Sequence, residues 1–182
     1  MTSDDQVLID RVNRNGDQHA FAELVKRYQS QLRYSLRQLV GQDAALADDL
    51  AQETFIRVYK SLHQFEGNSR FFTWIYRIAY NCFAAYCRSR KEELPLDDDL
   101  ADNLPDPNPG PGADIHLDMA RALQNFPPEQ RMALHLFYQR EFTHNEIALV
   151  MDRPLGTVKS FITRGQDKLR LLMQSWQAEA ER

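Results

Sequence analysis

The stretch NSRFFTWIYRIAYN, residues 68–81, decides how this chain folds and what it can bind. Its apolar residues recur at the spacing of one helical face, so we predict a helix that follows a turn at 67–69 and runs to about Lys91. The stretch brings aromatic rings, two arginines and an asparagine close together. Rings stack on unpaired bases, guanidinium groups hold phosphates, and an amide can contact a base edge. This pattern therefore indicates a surface for an unpaired nucleic-acid strand.

One apolar stripe of this helix should face the core, and it consists of Phe72, Ile75, Ala79, Cys82 and Tyr86. The remaining rings are more than a domain of this size can bury, so we expect some of them to be exposed beside the arginines: Phe71, Trp74, Tyr76, Tyr80 and Phe83. The alternative is that most of these rings are core. For Trp74 both interpretations stay open, and Asn81 either contacts a base edge or is an ordinary solvent-exposed residue.

The charge distribution separates three parts of the chain. The 182 residues carry a net charge of −4. Residues 54–91 hold seven Lys or Arg and one acid, residues 92–118 hold nine Asp or Glu and no base, and residues 153–172 hold five Lys or Arg and one acid. Two basic segments thus flank an acidic one, which is compatible with nucleic-acid binding in spite of the net negative charge.

Helical periodicity extends over nearly all of the first half. A short helix is predicted over 6–15, Asp17 can cap a second helix that ends near Gly41, and Asp43 can cap a third. No segment has the β-branched alternation of a strand. We therefore predict an all-α fold.

Residues 92–113 interrupt the helical pattern. Five prolines, two glycines and a run of acids exclude a regular helix there, so we interpret the segment as a solvated linker. It divides the chain into two small helical domains, 1–91 and 114–182, joined by the acidic, proline-rich linker 92–113.

The second domain contains a helix-turn-helix pattern. Helices are predicted over 115–125 and 128–138, after which Thr143 and Glu146 have the spacing of a capping box that starts a short helix. A turn at 152–154 then leads into a long basic helix. The first turns of such a second helix enter the major groove of a duplex. Candidates for base contact are Lys159, Ser160, Thr163 and Arg164, and candidates for phosphate contact are Arg153, Lys168 and Arg170. The alternative is a solvated face of an ordinary helical bundle.

The predicted third helix has acids at its start and bases at its end, an order that the helix dipole favours by itself. The same helix leaves a polar surface for a partner protein, made of Asp49, Gln52, Glu53 and Arg57.

Other function classes find no support in the sequence. No apolar run is long enough to span a bilayer, and the N-terminus lacks a signal-peptide pattern. Cys82 and Cys87 would point to different sides of one helix, and no Cys/His cluster has zinc spacing. No catalytic constellation or phosphate-binding loop is recognisable. We expect a cytoplasmic protein that is not an enzyme and needs no cofactor or metal.

Several segments, in this order, resemble one known family. They are residues 48–55 (DDLAQETF), 73–81 (TWIYRIAYN), 126–131 (FPPEQR), 146–148 (EIA) and 156–160 (GTVKS). Together they look like the extracytoplasmic-function (ECF) sigma factors, small alternative initiation subunits of bacterial RNA polymerase. The resemblance runs from about Ala20 to Leu172.

The resemblance implies a sigma region two within 1–91 and a sigma region four within 114–182, with three binding surfaces. The polymerase clamp would bind Asp49, Gln52, Glu53 and Arg57. The displaced strand of the minus-ten element would bind Phe65, Asn68, Ser69, Arg70, Phe71, Trp74, Arg77, Ile78 and Asn81. The minus-thirty-five element would bind, as duplex, Arg153, Thr157, Lys159, Ser160, Thr163, Arg164 and Lys168.

The resemblance also implies the partners, which are core RNA polymerase and promoter DNA. Family members are commonly held inactive by an anti-sigma factor, often anchored in a membrane. The acidic linker would thread through polymerase channels otherwise used by template or transcript.

The chain departs from the family pattern in its last helix. Phe161 and Gln166 replace basic residues, and Gly165 stands inside the helix at a cost of roughly 1 kcal/mol against alanine. Trp74 is followed by Ile75, so one of the two neighbouring rings that primary sigma factors use for strand separation is missing. Two other functions stay open at this point: a free-standing helix-turn-helix regulator that binds duplex operators as a dimer, and a decoy that occupies polymerase or an anti-sigma factor without starting transcription.

Overall fold

The computed structural model describes residues 3–41, 43–93 and 122–180. Within these ranges the regular structure is helical, as the sequence predicts. Most of the predicted linker and the beginning of the helix expected over 115–125 lie outside the described residues. Residues 122–124 of that helix are helical.

The first half contains four long helices. They are α1 (Ser3–Asn15), α2 (Gln18–Leu39), α3 (Ala44–Ser61) and α4 (Phe71–Glu93), with a 3₁₀ turn at Leu62–Gln64 after α3. The predicted caps are confirmed, because the Asp17 carboxylate accepts hydrogen bonds from the backbone N–H groups of His19 and Ala20, and the Asp43 carboxylate accepts one from Leu46. We predicted the start of α1 three residues too late.

Helix α4 begins one residue later than a cap at Ser69 implies. The Arg70 carbonyl accepts the first helical hydrogen bond, from the Trp74 N–H at 3.2 Å. The Ser69 hydroxyl instead donates to that same Arg70 carbonyl at 3.3 Å. Residues 65–70 therefore form a connecting loop between the 3₁₀ turn and α4.

The second half contains α5 (Pro128–Arg140), α6 (His144–Met151) and α7 (Leu155–Ala180). The capping box at the start of α6 is confirmed: the Thr143 hydroxyl accepts from the Glu146 N–H at 3.2 Å, and the Glu146 carboxylate accepts from the Thr143 N–H at 2.9 Å. Glu141 and Asp152 adopt left-handed backbone angles, with φ of 55° and 51°, and end α5 and α6.

The expectation of several exposed rings on α4 is wrong. Phe71, Tyr76 and Phe83 are at most 2% exposed and Tyr80 is 6% exposed, so among the five rings only Trp74 is half-buried. The reason is tertiary: the second half packs on α4, and the Phe142 ring lies 5.5 Å from the Tyr76 ring. The prediction counted only the core that the first half can build by itself.

Gly165 has a packing role that the sequence did not reveal. A Cβ atom built at this position would lie 2.6 Å from Leu134 Cδ2 and 2.9 Å from its Cγ. The missing side chain lets α7 approach α5 closely, which offsets the intrinsic helix penalty of glycine.

Candidate nucleic-acid interface

A pocket of about 220 Å³ lies beside the first turns of α4. Five of the nine residues predicted to bind the displaced strand line it: Phe65, Asn68, Ser69, Trp74 and Arg77. Gln64, Glu66, Thr73 and Leu149 complete the lining, and sequence reasoning missed all four. Leu149 could not be found from local pattern, because it belongs to α6 and reaches the pocket only through the tertiary fold.

The Trp74 ring is held by two neighbouring rings. It lies 5.7 Å from the buried Phe71 ring at an interplanar angle of 21° and 5.4 Å from the Phe65 ring. Such offset aromatic packing fixes ring orientation. Phe65 and Phe71 thus support Trp74 from inside, while half-buried Trp74 keeps part of its surface towards the pocket.

The polar groups of the pocket suit the edge of a base. The Asn68 amide donates to the Glu66 carboxylate at 2.9 Å, which fixes the orientation of the amide. Thr73 is buried, and its hydroxyl has no hydrogen-bonding partner among the described residues. The Arg77 guanidinium is exposed at the rim. An unpartnered hydroxyl, an oriented amide and a guanidinium beside a ring can together hold an unpaired nucleotide.

Four of the predicted residues do not line this pocket. Phe71 is buried beneath Trp74, and Ile78 is half-buried. Asn81 and Arg70 are exposed, and the Arg70 side chain lies 3.9 Å from the Glu146 carboxylate of α6. Arg70 and Asn81 thus lie exposed outside the pocket.

A second surface lies between α2 and α3, where an open groove of about 620 Å³ runs along both helices. Of the four residues of the predicted protein-binding surface, Asp49 and Gln52 line this groove, and Glu53 and Arg57 do not. The Arg57 and Glu53 side chains form an ion pair at 2.6 Å on the same helix, and this hydrogen bond raises the pKa of Arg57.

The floor of the groove is apolar, which sequence reasoning missed. It is formed by Phe21, Val25, Phe55, Ile56 and Tyr59. Ile56 and Tyr59 are 42% and 43% exposed. Ile56 and Tyr59 lie away from the side of α3 that carries its buried residues Leu50, Ala51 and Val58, and that position is the sequence signal that could have identified them. An exposed apolar strip with a charged rim is typical of a protein-binding surface.

Helix α7 presents the third surface. Lys159, Thr163 and Arg164 are exposed on one side of it, and Ser160 and Thr157 are half-buried at the edge of that side. Val158, Ile162 and Leu169 are buried against the rest of the protein. The structure therefore brings the candidate base-contacting residues onto one open, basic face.

Four of the predicted DNA-contacting cations have partners within the protein: Arg70 lies near Glu146, Arg170 lies 3.8 Å from the Asp167 carboxylate, and Arg153 and Lys168 have closer contacts. Arg153 pairs with Glu129 of α5, and this hydrogen bond raises the pKa of the Arg153 guanidinium. The Lys168 ammonium donates to the Asn125 carbonyl at 2.8 Å and lies 5.0 Å from the centre of the Phe126 ring. Both side chains are exposed enough to exchange these partners for a phosphate.

Neither cysteine forms a disulfide, and burial raises the pKa of both the Cys82 and the Cys87 thiol. In the described part of the chain no group of His, Cys, Asp or Glu side chains is arranged to hold a metal ion, and no helix is long and apolar enough to cross a membrane.

Comparison with known proteins identifies the family to which this chain belongs. The model of Sigma-70 region 2 matches residues 24–93, and that of Sigma-70, region 4 matches residues 122–171. The chain is 34% identical to the RNA polymerase sigma-H factor of Pseudomonas aeruginosa, over 97% of both chains. It is 31% identical to the ECF RNA polymerase sigma-E factor of Haemophilus influenzae, over 93% of this chain and 95% of the relative. It is also 34% identical to the ECF RNA polymerase sigma-E factor of Escherichia coli K12, over 91% of this chain and 92% of the relative.

Solved structures have the same fold. CnrH, in complex with the cytosolic domain of CnrY, superposes with a TM-score of 0.69 at 23% identity, over 94% of this chain and 98% of that one. The sigma factor RpoE of Bartonella quintana, in complex with the anti-sigma factor NepR, superposes with a TM-score of 0.67 at 23% identity, over 85% of this chain and 96% of that one.

Two helical units that match regions 2 and 4 define a sigma-70-type initiation factor. Within that class, the chain belongs to the extracytoplasmic-function sigma factors. It is an alternative sigma factor, the kind of subunit with which RNA polymerase recognises and opens promoters.

Proposed function

We propose that this sigma factor divides promoter binding between its two domains, 1–91 and 114–182, with 92–113 as the tether. The first domain binds polymerase and holds a nucleotide of the displaced minus-ten strand. The second binds the minus-thirty-five element as intact duplex. The observation that carries the proposal is the pocket beside Trp74, which combines a supported ring with the unpartnered Thr73 hydroxyl.

The groove between α2 and α3 is the proposed contact with the polymerase clamp. A coiled-coil helix laid between two helices buries apolar side chains on the floor and meets charges at the rim. The groove supplies both, with Ile56 and Tyr59 on the floor and Asp49 and Gln52 beside them. The Glu53–Arg57 pair lies alongside and offers a further polar contact.

The pocket is the proposed site for an everted base of the minus-ten element. Proteins can flip a base out of the DNA stack, and stacking of that base on an aromatic side chain stabilises the complex by ~1–3 kcal/mol. Trp74 supplies the ring, Asn68 and Thr73 supply hydrogen bonds to the base edge, and Arg77 faces the backbone.

The open face of α7 is the proposed contact with the minus-thirty-five element. Lys159, Thr163 and Arg164 lie where a recognition helix contacts base edges, with Ser160 and Thr157 at the margin. Arg153 precedes α7 and Lys168 lies one turn beyond Arg164, and both would contact phosphates after leaving their internal partners.

We also propose that an anti-sigma factor regulates the protein. The structural relatives CnrH and RpoE of B. quintana were both solved with a partner bound, and in the second case the partner is described as an anti-sigma factor. With this role the protein acts in the cytoplasm, where polymerase and the chromosome are. The polymerase, and not the sigma factor, catalyses nucleotide addition.

Reconstituted transcription tests the proposal. Core RNA polymerase is incubated with the purified chain and a genomic fragment library, and the 5′ ends of the transcripts are sequenced. We expect a set of start sites that share two upstream elements and that are absent when the chain is omitted. No start-site-specific transcript would contradict the proposal. Tight, dimeric binding of a duplex by the isolated chain would favour the free-standing regulator instead.

A further inference from the structure

Helix α1 carries a buried carboxylate that pairs with two residues of α2. Asp5 is 4% exposed, and its carboxylate accepts hydrogen bonds from the Arg27 guanidinium and from the Tyr28 hydroxyl. The apolar residues Leu8 and Ile9 already anchor α1 in the core. An apolar residue could also fill the position of Asp5, without the desolvation of a charge. The carboxylate at this position therefore indicates a role in orienting its two partners.

Tyr28 is held at both ends of its side chain. Burial, together with the hydrogen bond to Asp5, raises the pKa of Tyr28, so the hydroxyl keeps its proton and stays a donor. The Tyr28 ring lies 5.7 Å from the Phe71 ring, edge to face at an interplanar angle of 69°, and it stacks on the Phe72 ring at 5.5 Å and 25°. Such contacts fix the orientation of a ring. Tyr28 thus joins Asp5 of α1 to the first two residues of α4.

Phe71 connects Tyr28 to the ring of Trp74. The Phe71 side chain is 2% exposed, and its ring stacks on the Trp74 ring at 5.7 Å and 21°. Phe71 therefore contacts both the ring that Asp5 orients and the ring that faces the pocket. Neither Asp5 nor Tyr28 lines the pocket, so these two residues can affect a bound base only through the residues that they support.

Helix α1 also supports the loop that supplies most of the other pocket residues. It packs against the 3₁₀ turn Leu62–Gln64, whose first residue is 1% exposed in the same apolar cluster as Ile9 and Val12. Gln64 lines the pocket, and the loop 65–70, which follows directly, supplies four further lining residues. Helix α1 therefore supports the pocket by two routes, through Tyr28 and through the 3₁₀ turn.

A pocket for a single base gains affinity from a ring that is oriented before the base arrives. If the Trp74 ring were free to tilt, binding would have to order it, and this ordering would lower the affinity. Sites in which supporting contacts lock the ring avoid the loss. Phe65 and Phe71 lock the Trp74 ring directly, and Tyr28 holds Phe71 from the other end of the series.

We propose that Asp5 and Tyr28 are positioning residues for the pocket beside Trp74. The hydrogen bond between them holds Phe71 in place, and Phe71 holds the Trp74 ring at the tilt that a base meets. Helix α1 is then part of the structure that captures an unpaired base, although it lies outside the residues that match Sigma-70 region 2. The proposal rests on the proposed function, since it takes the pocket as the site of the base.

Time-resolved fluorescence anisotropy of Trp74 in the isolated full chain tests the positioning without DNA or polymerase. The chain has two tryptophans, so Trp176→Phe leaves Trp74 as the only emitter of its kind. In this background Tyr28→Phe removes the hydroxyl and keeps the ring, whereas Asp5→Asn keeps the size of the side chain and removes its charge. We expect a larger amplitude of fast anisotropy decay in both variants, because the Trp74 ring gains freedom to tilt.

Arg11→Ala is the matched control. It removes an exposed ion pair of 2.7 Å between α1 and Asp17 at the start of α2, and this pair does not involve Tyr28. We expect the anisotropy decay of the control to equal that of the background chain. An unchanged decay in Tyr28→Phe would overturn the positioning role. An equal change in Arg11→Ala would overturn it too, since the effect would then reflect the general attachment of α1.

Binding of the minus-ten strand by the holoenzyme tests the consequence for base capture. We expect the Kd of the single non-template strand to rise about fivefold in Tyr28→Phe, the factor for loss of one hydrogen bond, and to stay unchanged in Arg11→Ala. Polymerase affinity should be unchanged, because Tyr28 does not line the α2–α3 groove. An unchanged strand affinity in Tyr28→Phe would overturn the link to base capture. A wild-type holoenzyme with no preference for the single strand would contradict the proposed function instead, while the anisotropy would still decide whether Asp5 and Tyr28 hold the ring.

Discussion

Helices α4 and α7 are both long, basic and amphipathic, yet they offer DNA two different kinds of surface. Of the seven aromatic side chains of α4, four are buried and three are half-buried, and its proposed binding site is a small pocket completed by a loop and by Leu149 of α6. Helix α7 keeps one open side with Lys159, Thr163 and Arg164. A duplex groove accepts an exposed helix face, whereas a single base needs a cavity with a supported ring. The comparison explains why a sequence pattern locates the duplex-binding residues more directly than the pocket.

The largest effect is expected at the pocket. Trp74→Ala removes the stacking surface and should lower open-complex formation up to roughly a hundredfold, the equivalent of ~3 kcal/mol. Polymerase binding should be retained, because the α2–α3 groove is untouched, and Trp74→Tyr should restore part of the activity. Permanganate reactivity of promoter thymines measures opening. A promoter with a pre-melted minus-ten region should rescue the variant, and full opening of ordinary duplex by Trp74→Ala would contradict the role of the ring.

Arg164→Ala should weaken the binding of duplex DNA by the open face of α7. If the guanidinium contacts a base edge, binding should fall by ~1–3 kcal/mol at one base pair of the minus-thirty-five element and preference at that position should be lost. Holoenzyme binding to promoters substituted one base pair at a time measures this. In contrast to Trp74→Ala, a pre-melted template should not rescue the variant. A uniform loss across all sequences would identify Arg164 as a phosphate contact.

His135 gives the stability of the folded chain a specific pH dependence. The residue is fully buried in α5, and neither ring nitrogen forms a well-aligned hydrogen bond with a described residue. Burial, with the nearby charge of Arg140, lowers the pKa of His135 from 6.5 to about 3. The unfolded chain therefore binds a proton below pH 6.5 that the folded chain rejects, and stability falls as the pH drops from 6.5 towards 3. At pH 5 this one group should cost about 2 kcal/mol relative to pH 7.5.

The matched variant His135→Leu keeps a similar volume and cannot titrate. Urea unfolding at pH 7.5 and pH 5 should show a loss of stability that is smaller in the variant by that amount. Equal losses in the two proteins would mean that the imidazole is accessible to protons in the folded state.

The smallest effect is expected at the close contact between α7 and α5. Gly165→Ala should gain helix propensity but push Leu134 out of place, for a net loss of about 1 kcal/mol. Gly156→Ala is the control, since a Cβ there meets no atom within 4 Å, and it should stabilise the protein by ~0.5 kcal/mol. Thermal unfolding of the two variants should therefore shift in opposite directions. Stabilisation by both substitutions would mean that Leu134 moves without cost.

Local chemistry was predictable from the sequence, and tertiary contacts were not. Asp17, Asp43 and Thr143 cap their helices as predicted, because a cap involves only residues two or three positions away. The burial of the α4 rings was missed, since the ring of Phe142 comes from about seventy positions further along the chain. The apolar floor of the α2–α3 groove was missed for a related reason: its members come from two helices and form a strip only once these are packed together.

The sequence also did not reveal the partners that charged residues have inside the folded protein. Arg153 and Lys168 look like free cations in the sequence, but Glu129 and the Asn125 carbonyl reach them through the fold. The hydrogen bonds from Arg131 and Arg140 of α5 to α2 have the same origin, since their acceptors are the backbone carbonyls of Leu39 and Gln31 and the hydroxyl of Ser35, which carry no sequence signature.

Competition between single strand and duplex tests the central claim most directly. The holoenzyme is titrated with a fluorescent non-template strand that carries its minus-ten element, and with the same element as a blunt duplex, at one fixed salt concentration. The account predicts that the single strand binds more tightly and that Trp74→Ala abolishes the difference. Equal or tighter binding of the duplex, unaffected by Trp74→Ala, would contradict the assignment of the α4 pocket to an unpaired base.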